Sequence, residues 1–199
     1  MQAEKAQIEK ILSGDMAAFR DFVDEYQRLV CHVVFRMVLN ESDREELSQE
    51  VFVKIYQNLG KFEFKSKLST WIAKVAYNTC INYLKKKKIP LYDDLAEAGF
   101  SSPGESAADP YIETVAGESR GQDDLMMTQE LNQFLHAEIN RLPVQYRTVL
   151  TLYHSDELSY KEIGEIVNLP EGTVKSYLFR ARKLLKERML EKYPAEELW

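Results

Sequence analysis

The spacing of apolar residues restricts the fold of this chain more than any other feature. In several long stretches they recur at steps of three and four positions, which places them along one side of an α-helix. The first of these stretches follows Asp15, a residue type that caps helix N-termini, and reaches Met37. We find no sustained alternation of apolar and polar residues of the kind that indicates a strand. The sequence therefore predicts an all-α protein.

The apolar pattern divides the chain into two helical blocks. In the first block, residues 1–90, a capping box at Ser42–Glu45 opens a second helix, and Gly60 ends it. A short loop, Lys61–Lys67, leads to a third helix that Pro90 stops, because proline cannot continue a helix. We expect this block to form a small helical domain.

The second block, residues 128–199, contains the pattern of a helix-turn-helix. Ser159–Glu162 matches another capping box and opens a short helix. Gly164 lets two helices approach closely, and Asn168 suits a turn that needs a left-handed backbone. Pro170 can begin the long helix that follows. We expect a second small helical domain here.

Charge separates the two blocks from the segment between them. Residues 91–127 hold nine carboxylates and one arginine, a net charge of −8, so the rest of the chain carries +2 of the total of −6. This segment is also rich in glycine and proline and shows no helical period, which predicts an acidic, flexible interdomain linker. Positive charge is concentrated at Lys85–Lys88 and Lys175–Lys192, where the local field favours nucleic acid.

The outward side of the last long helix carries residue types that read DNA grooves. Arginine and lysine bind guanine edges and phosphates, serine and threonine bind either, and an aromatic ring contacts thymine methyl groups. The outward positions are Thr173, Lys175, Ser176, Phe179, Arg180, Arg182 and Lys183. A solvated basic helix face is the alternative, because charged faces of this kind are common.

Two sets of motifs resemble bacterial sigma factors of the sigma-70 family, in particular the extracytoplasmic-function (ECF) group. Leu142–Leu150, Leu158–Ile163 and Pro170–Ser176 resemble region four of that family. Asp43–Phe52 and Ser69–Asn78 resemble region two. A helix-turn-helix alone is a weak signal, whereas both regions in this order in one chain are a strong one.

The resemblance implies a function and a set of partners. It implies a sigma factor that directs core RNA polymerase to specific promoters, responds to a stress or another signal, and is held by an anti-sigma factor. The partners would be the clamp coiled coil and the flap of the polymerase, promoter DNA and the anti-sigma factor. A monomeric, cytoplasmic protein without membrane insertion and without a cofactor is expected.

The resemblance also assigns roles to residues. For docking on the polymerase it implies Asp43, Glu46, Gln49 and Glu50, although an acid in the first turn is also explained by the helix dipole. For the minus-ten promoter element it implies Phe62, Phe64, Lys65, Ser66, Lys67, Lys74, Asn78, Asn82, Lys85 and Lys86. For the minus-thirty-five element it implies Lys175, Ser176, Phe179, Arg180, Arg182 and Lys183, with Thr173, Tyr160 and Arg147 on phosphates. Trp71 falls on the apolar stripe and is expected in the core.

Other classes of protein fit the sequence less well. It offers no nucleophile beside a base, no glycine-rich phosphate loop and no metal-ligand spacing among its two cysteines and three histidines, so an enzyme or a metal site is not expected. Neither a membrane-spanning run nor a secretion signal is recognised. Two rivals stay open: a stand-alone helix-turn-helix regulator that dimerises, and a sigma-like decoy that sequesters an inhibitor.

Overall fold

The computed structural model describes residues 2–88, 122–154 and 158–193. The first block contains α1 (Gln2–Leu12), α2 (Met16–Met37), α3 (Glu41–Asn58), a 3-10 turn (Leu59–Lys61) and α4 (Leu68–Lys86). The second block contains α5 (Gln122–Arg141), α6 (Val144–His154), α7 (Tyr160–Val167) and α8 (Glu171–Lys192). No strand occurs within these ranges, which confirms the all-α prediction.

Helix starts in the first block follow local side-chain chemistry, with one correction. Asp15 caps α2 as predicted, and its carboxylate accepts the backbone N–H groups of Ala17 and Ala18. The predicted capping box at Ser42 is wrong. Asn40 caps α3 instead and accepts the N–H of Asp43, because asparagine is as good a cap as serine and comes earlier in the chain. Helix α1 was not predicted.

Most of the predicted linker lies outside the described residues. Helix α5 nevertheless begins at Gln122, ahead of the predicted start of the second block at residue 128. The end of the predicted acidic segment, residues 122–127, therefore lies in a helix rather than in a linker.

The two blocks pack against each other. Helix α6 lies against α2, and α7 lies against α4. The buried apolar residues of both blocks form one connected core, which includes Phe22 and Ile72 from the first block and Val149 and Ile163 from the second. This arrangement brings the helix-turn-helix close to the start of α4.

Candidate nucleic-acid interface

The helix-turn-helix is α7 followed by α8. The capping box predicted at Ser159 is present: its hydroxyl accepts the N–H of Glu162, and the Glu162 carboxylate accepts the Ser159 N–H at 3.0 Å. Ile163 and Ile166 bury the inner side of α7 completely. The short helix is thereby fixed at its start and along its inner face.

The turn between the helices depends on Gly164 and Asn168, as the sequence predicted. Asn168 adopts a left-handed backbone with φ 58° and ψ 46°, and its N–H donates to the Gly164 carbonyl. A Cβ atom on Gly164 would lie 2.7 Å from the carbonyl oxygen of Leu169, a separation that real Cβ atoms essentially never show. Pro170 caps α8 rather than serving as its first residue. Close packing at this turn sets the angle at which α8 is presented.

One side of α8 is exposed and carries mixed chemistry. Lys175, Phe179 and Lys183 are exposed at four-residue steps, and 45% of the Phe179 surface is accessible. Ser176 is also exposed, and its hydroxyl donates to the Gly172 carbonyl at 3.0 Å. Thr173, Arg180 and Arg182 are half-buried at the edges of this side. The predicted contact residues of α8 therefore lie around one accessible face.

Two stacked tyrosines support the cations of α8. The rings of Tyr153 and Tyr160 are nearly parallel, with centroids 5.1 Å apart. Lys175 Nζ lies 5.2 Å from the centre of the Tyr160 ring, and Arg182 Cζ lies 5.2 Å from the centre of the Tyr153 ring. Cation–π attraction of this kind restricts where the charged groups can point. Tyr160, predicted to touch phosphate, also holds Lys175 in place.

Arg147 does not lie on the exposed side of the helix-turn-helix. It is 5% exposed, and its guanidinium donates to the backbone carbonyls of Arg36 and Met37 at the end of α2. It also donates to the carbonyls of Asn140 and Leu142. Burial lowers the pKa of Arg147 to about 10, so it stays charged at neutral pH. Arg147 is therefore not accessible to a DNA phosphate in this arrangement, because its guanidinium is bound to backbone carbonyls of α2 in the first block.

A cleft of about 330 Å³ opens beside the loop that precedes α4. It is lined by Lys65, Ser66, Thr70, Trp71 and Lys74, and the second block adds Glu165. Thr70, which is not among the residues predicted from the sequence, is 2% exposed, and its hydroxyl has no hydrogen-bond partner among the described residues. Buried hydroxyl groups are nearly always satisfied, so this atom indicates a place for a polar ligand group or water. The sequence feature that could have identified Thr70 is its position as a polar residue directly beside the apolar residues of α4.

The aromatic residues of this loop divide into buried and exposed ones. Phe62 is 8% exposed and packs on Trp71, with ring centroids 5.4 Å apart. In this arrangement its ring is therefore occupied by packing and is not open to a base, and its predicted minus-ten role stays a prediction. Trp71 joins this packing as expected, but it also lines the cleft. Phe64 is 38% exposed and has a positive φ of 55°, which is unusual for a bulky residue.

A polar stripe continues from the cleft along α4. Lys74, Asn78 and Asn82 follow each other at four-residue steps, and both asparagines are exposed. Lys85 and Lys86 are exposed at the end of the helix. From Lys74 to Lys86 the stripe is about 18 Å long at about 1.5 Å per residue. Amide groups along its middle and lysines at both ends match a surface that follows a phosphate backbone.

The acidic residues of α3 divide into two groups. Glu46, Gln49 and Glu50 are exposed along one side, and Glu50 pairs with Lys54 at 2.6 Å. Asp43 is half-buried and accepts a hydrogen bond from the Tyr83 hydroxyl at 2.6 Å. This hydrogen bond raises the pKa of Tyr83 to about 12. Asp43 thus connects α3 to α4 and is less available to a partner than the other three.

One ion pair joins the predicted minus-ten loop to the helix-turn-helix. Lys67 Nζ lies 2.7 Å from a carboxylate oxygen of Glu162 in α7. Lys67 and the Ser159 hydroxyl both donate to this carboxylate, and they lower the pKa of Glu162 to about 2. A predicted DNA-binding lysine is therefore occupied by a carboxylate of the same chain.

The described ranges hold no cluster of metal ligands, and the Cys80 thiol is buried. No group of three or more His, Cys, Asp or Glu residues there is arranged to hold a metal ion. Burial raises the pKa of the Cys80 thiol to about 12, which makes it unreactive. Over the same residues, no helix has the length and apolarity needed to cross a membrane.

Comparison with known proteins finds two family models in this chain. The model described as Sigma-70 region 2 matches residues 22–89, and the one described as Sigma-70, region 4 matches residues 135–185. The ECF RNA polymerase sigma factor SigW of Bacillus subtilis is 36% identical over 185 residues, which cover 93% of this chain and 96% of that protein.

Two solved structures share the fold. The structure of CnrH in complex with the cytosolic domain of CnrY aligns with a TM-score of 0.62 at 17% identity, over 96% of this chain and 99% of that one. The sigma factor RpoE in complex with the anti-sigma factor NepR from Bartonella quintana aligns with a TM-score of 0.58 at 20% identity, over 87% of this chain and 99% of that one.

Proposed function

The chain belongs to the ECF group of the sigma-70 family, and from that premise we propose that it brings core RNA polymerase to promoters with two recognition elements and starts transcription there. Members of this family are transcription initiation factors rather than enzymes. The observation that carries the proposal is the presence of two distinct polar surfaces in one chain: the exposed side of α8, and the cleft with its stripe along α4.

The exposed side of α8 would read the minus-thirty-five element in the major groove. Lys175, Ser176 and Phe179 stand near the start of the helix, the end that contacts base edges in a helix-turn-helix. Arg180 completes the base-reading set. The residues proposed to hold the phosphates on either side are Thr173, Arg182, Lys183 and Tyr160. Arg147 could contact a phosphate only after its hydrogen bonds to the carbonyls of α2 are broken.

The cleft and the stripe along α4 would hold the unpaired strand of the minus-ten element. A lone base has a flat face and a hydrogen-bonding edge, so it needs a ring to stack on and polar groups to read it. Phe64 supplies an exposed ring, and Thr70 and Ser66 supply hydroxyl groups. Lys65, Lys67, Lys74, Lys85 and Lys86 would track the phosphates, with Asn78 and Asn82 between them.

The exposed side of α3 would dock on the polymerase. Glu46, Gln49 and Glu50 face solvent together, so they can reach a partner without any rearrangement of the first block. Asp43 would act mainly by fixing the start of α3 against Tyr83. We therefore assign the direct contacts to the three exposed residues.

Regulation by an anti-sigma factor and a cytoplasmic location belong to the same proposal. The RpoE structure from Bartonella quintana contains such a factor and shares the fold of this chain. An inhibitor of that kind would keep the chain from polymerase until a stress or another signal releases it. Core polymerase and promoter DNA are both found in the cytoplasm, where we place the active protein.

Run-off transcription with purified core polymerase tests the function. A promoter library randomised at both elements lets the holoenzyme select its own sequences, and sequencing of the transcripts identifies them. We expect transcripts only when this chain is present, with two enriched motifs upstream of the start. A stand-alone regulator would start no transcripts, and a decoy would bind no promoter in any complex.

Substitutions test the assignment of surfaces. Phe179→Ala should change selection at the minus-thirty-five element alone, and Phe64→Ala should change strand opening at the minus-ten element alone. Leu190→Ala is a matched control, since it removes another exposed apolar side chain of α8, well away from the start of the helix. Equal effects of all three variants would contradict the assignment.

A further inference from the structure

We propose that Tyr153 is a positioning residue of the minus-thirty-five surface. It touches no DNA itself, but with Tyr160 it forms a platform of two rings that holds Lys175 and Arg182 in the directions from which they reach DNA. The inference rests on the proposed function, because it takes the exposed side of α8 to read the minus-thirty-five element. Tyr153 lies in α6, outside the residues to which a DNA contact was assigned.

The platform and the two cations form one connected group. The Tyr153 and Tyr160 rings differ by 8° in orientation, and their centroids are 5.1 Å apart. Lys175 Nζ lies 5.2 Å from the centre of the Tyr160 ring, and Arg182 Cζ lies 5.2 Å from the centre of the Tyr153 ring. Each ring thus holds one cation and is itself held by the other ring. Loss of the Tyr153 ring would release Arg182 directly and would leave the ring beside Lys175 without its stacking partner.

Contacts from three helices fix the platform before DNA arrives. Tyr160 is the first residue of α7 and directly follows Ser159, whose capping box fixes the start of that helix. Tyr153 belongs to the last turn of α6, and its hydroxyl lies 3.4 Å from that of Tyr160. The His154 ring stands nearly perpendicular to the Tyr153 ring, and its Nε2 lies 3.3 Å from a guanidinium nitrogen of Arg182 in α8. The fold itself therefore sets where the two rings lie.

The two cations flank base-reading residues along α8. Lys175 and Arg182 are two turns apart, about 10 Å along the helix, and Ser176 and Phe179 lie between them. A long side chain loses conformational freedom when it is fixed on DNA, and this loss weakens binding. A cation that a ring already restrains has less freedom to lose, and the ring does not use up its N–H donors as a carboxylate would. Tyr153 therefore contributes to DNA affinity through the cations.

Binding of the reconstituted holoenzyme to a promoter duplex tests the role of the ring. The promoter is one selected by run-off transcription, and fluorescence anisotropy of the labelled duplex follows binding. Tyr153→Leu removes the ring, and we expect about three- to tenfold weaker binding, the range for a long side chain that must now be ordered on DNA. Tyr153→Phe keeps the ring and loses only the hydroxyl, so we expect its affinity to stay within about twofold of the wild type.

Tyr193→Leu is the matched control. Tyr193 also lies beside a lysine of α8, with Lys192 Nζ 5.3 Å from the centre of its ring, but at the far end of the helix. We expect promoter affinity to stay unchanged, because no DNA contact is assigned to that end. A loss as large as that of Tyr153→Leu would overturn the inference, since general damage to the packing of the second block would then explain both results.

A double-mutant cycle separates positioning from support of the fold. If Tyr153 acts through Arg182, Tyr153→Leu should weaken binding less in a chain that already carries Arg182→Ala than in the wild type. The reference pair is Tyr153→Leu with Lys183→Ala, an exposed lysine of α8, and the two fold-losses should multiply. Urea unfolding of each variant verifies that binding is measured on folded chains.

The outcomes keep the inference apart from the proposed function. Equal losses in Tyr153→Phe and Tyr153→Leu would overturn positioning, because the hydroxyl rather than the ring would then be the group that matters. An equal cost of Tyr153→Leu with and without Arg182 would also overturn it. In both cases the wild-type holoenzyme would still select a minus-thirty-five element, and the proposed function would stand. A holoenzyme that selects no such element would remove the proposed function, and this inference with it.

Discussion

Alanine at position 164 should destabilise this protein, although the same substitution stabilises most helices. In a helix interior alanine is favoured over glycine by about 1 kcal/mol, because glycine loses more backbone freedom on folding. At Gly164 this gain is outweighed. The new Cβ would lie 2.7 Å from the backbone oxygen of Leu169, where ordinary contacts are 3.4–4 Å.

The magnitude follows from what has to move. The obstacle is backbone rather than the end of a flexible side chain, and the residues after it are held by hydrogen bonds from Asn168 and Leu169 to the Gly164 carbonyl. Overpacking costs about 1–3 kcal/mol, and an obstacle that belongs to the backbone puts the cost in the upper part of this range, at about 2–3 kcal/mol. After the gain in helix propensity, we expect a net loss of about 1–2 kcal/mol in the free energy of unfolding.

Gly172→Ala is the matched control. Gly172 also lies in a helix of this motif, but a Cβ there meets nothing within 4 Å. We expect it to be neutral or to stabilise by up to about 1 kcal/mol. Urea unfolding followed by circular dichroism should therefore separate the two variants by about 1–3 kcal/mol, with a lower melting temperature for Gly164→Ala by about 2–8 °C.

Either of two results would refute the reasoning. If Gly164→Ala unfolds at the same or a higher urea concentration than the wild type, the close approach of the two helices is not required. If both alanine variants lose stability equally, the effect is not steric.

Three further predictions follow from single side chains. Arg147→Ala should lower the free energy of unfolding by about 2–4 kcal/mol, because it leaves buried carbonyls without a charged donor. Lys65→Ala removes an ion pair with Glu63 that is exposed on both sides and should cost less than about 1 kcal/mol in the same urea titration. For Glu162, whose pKa is lowered from 4.5 to about 2, the stabilisation is complete above pH 4.5 and is lost as pH falls towards 2. The stability difference between wild type and Glu162→Gln should therefore be present at pH 6 and vanish near pH 2, and a constant difference would contradict the ion pair. Lys183→Ala should reduce the slope of log affinity against log salt by about 1 on minus-thirty-five duplex DNA, as expected when one phosphate contact is lost; an unchanged slope would contradict a phosphate contact by Lys183.

Helices and caps that depend on residues close together in the chain were predicted reliably from the sequence. The helical period predicted α2, α3 and α4, and the cap at Asp15 was correct, because each depends on residues a few positions apart. The cap of α3 was misplaced by two residues, since Asn40 and Ser42 are both good caps and the sequence alone does not choose between them. Helix α1 was missed for the related reason that a short helix is stabilised mainly by packing.

The exposed side of α8 and the cleft beside α4 could be predicted only in part from the sequence. Spacing along α8 placed Lys175, Phe179 and Lys183 together, because residues four apart share a side of a helix. The burial of Phe62 and the cleft at Thr70 depend on how a loop folds back on α4, and no period encodes that. The residue types of this site were therefore predictable, but which of them face the cleft was not.

The sequence by itself determined the helices, the left-handed turn at Asn168 and the membership of the family, since all of these are carried by neighbours along the chain. Only the tertiary structure decided that Arg147 lies on the end of α2 and that Glu162 pairs with Lys67. These partners are separated by about a hundred residues along the chain, and the charges of Arg147 and Lys67 could equally well be satisfied by water or by DNA phosphates. The partners of these side chains depend on which apolar faces of the helices pack together, because that packing determines which polar groups come within hydrogen-bonding distance.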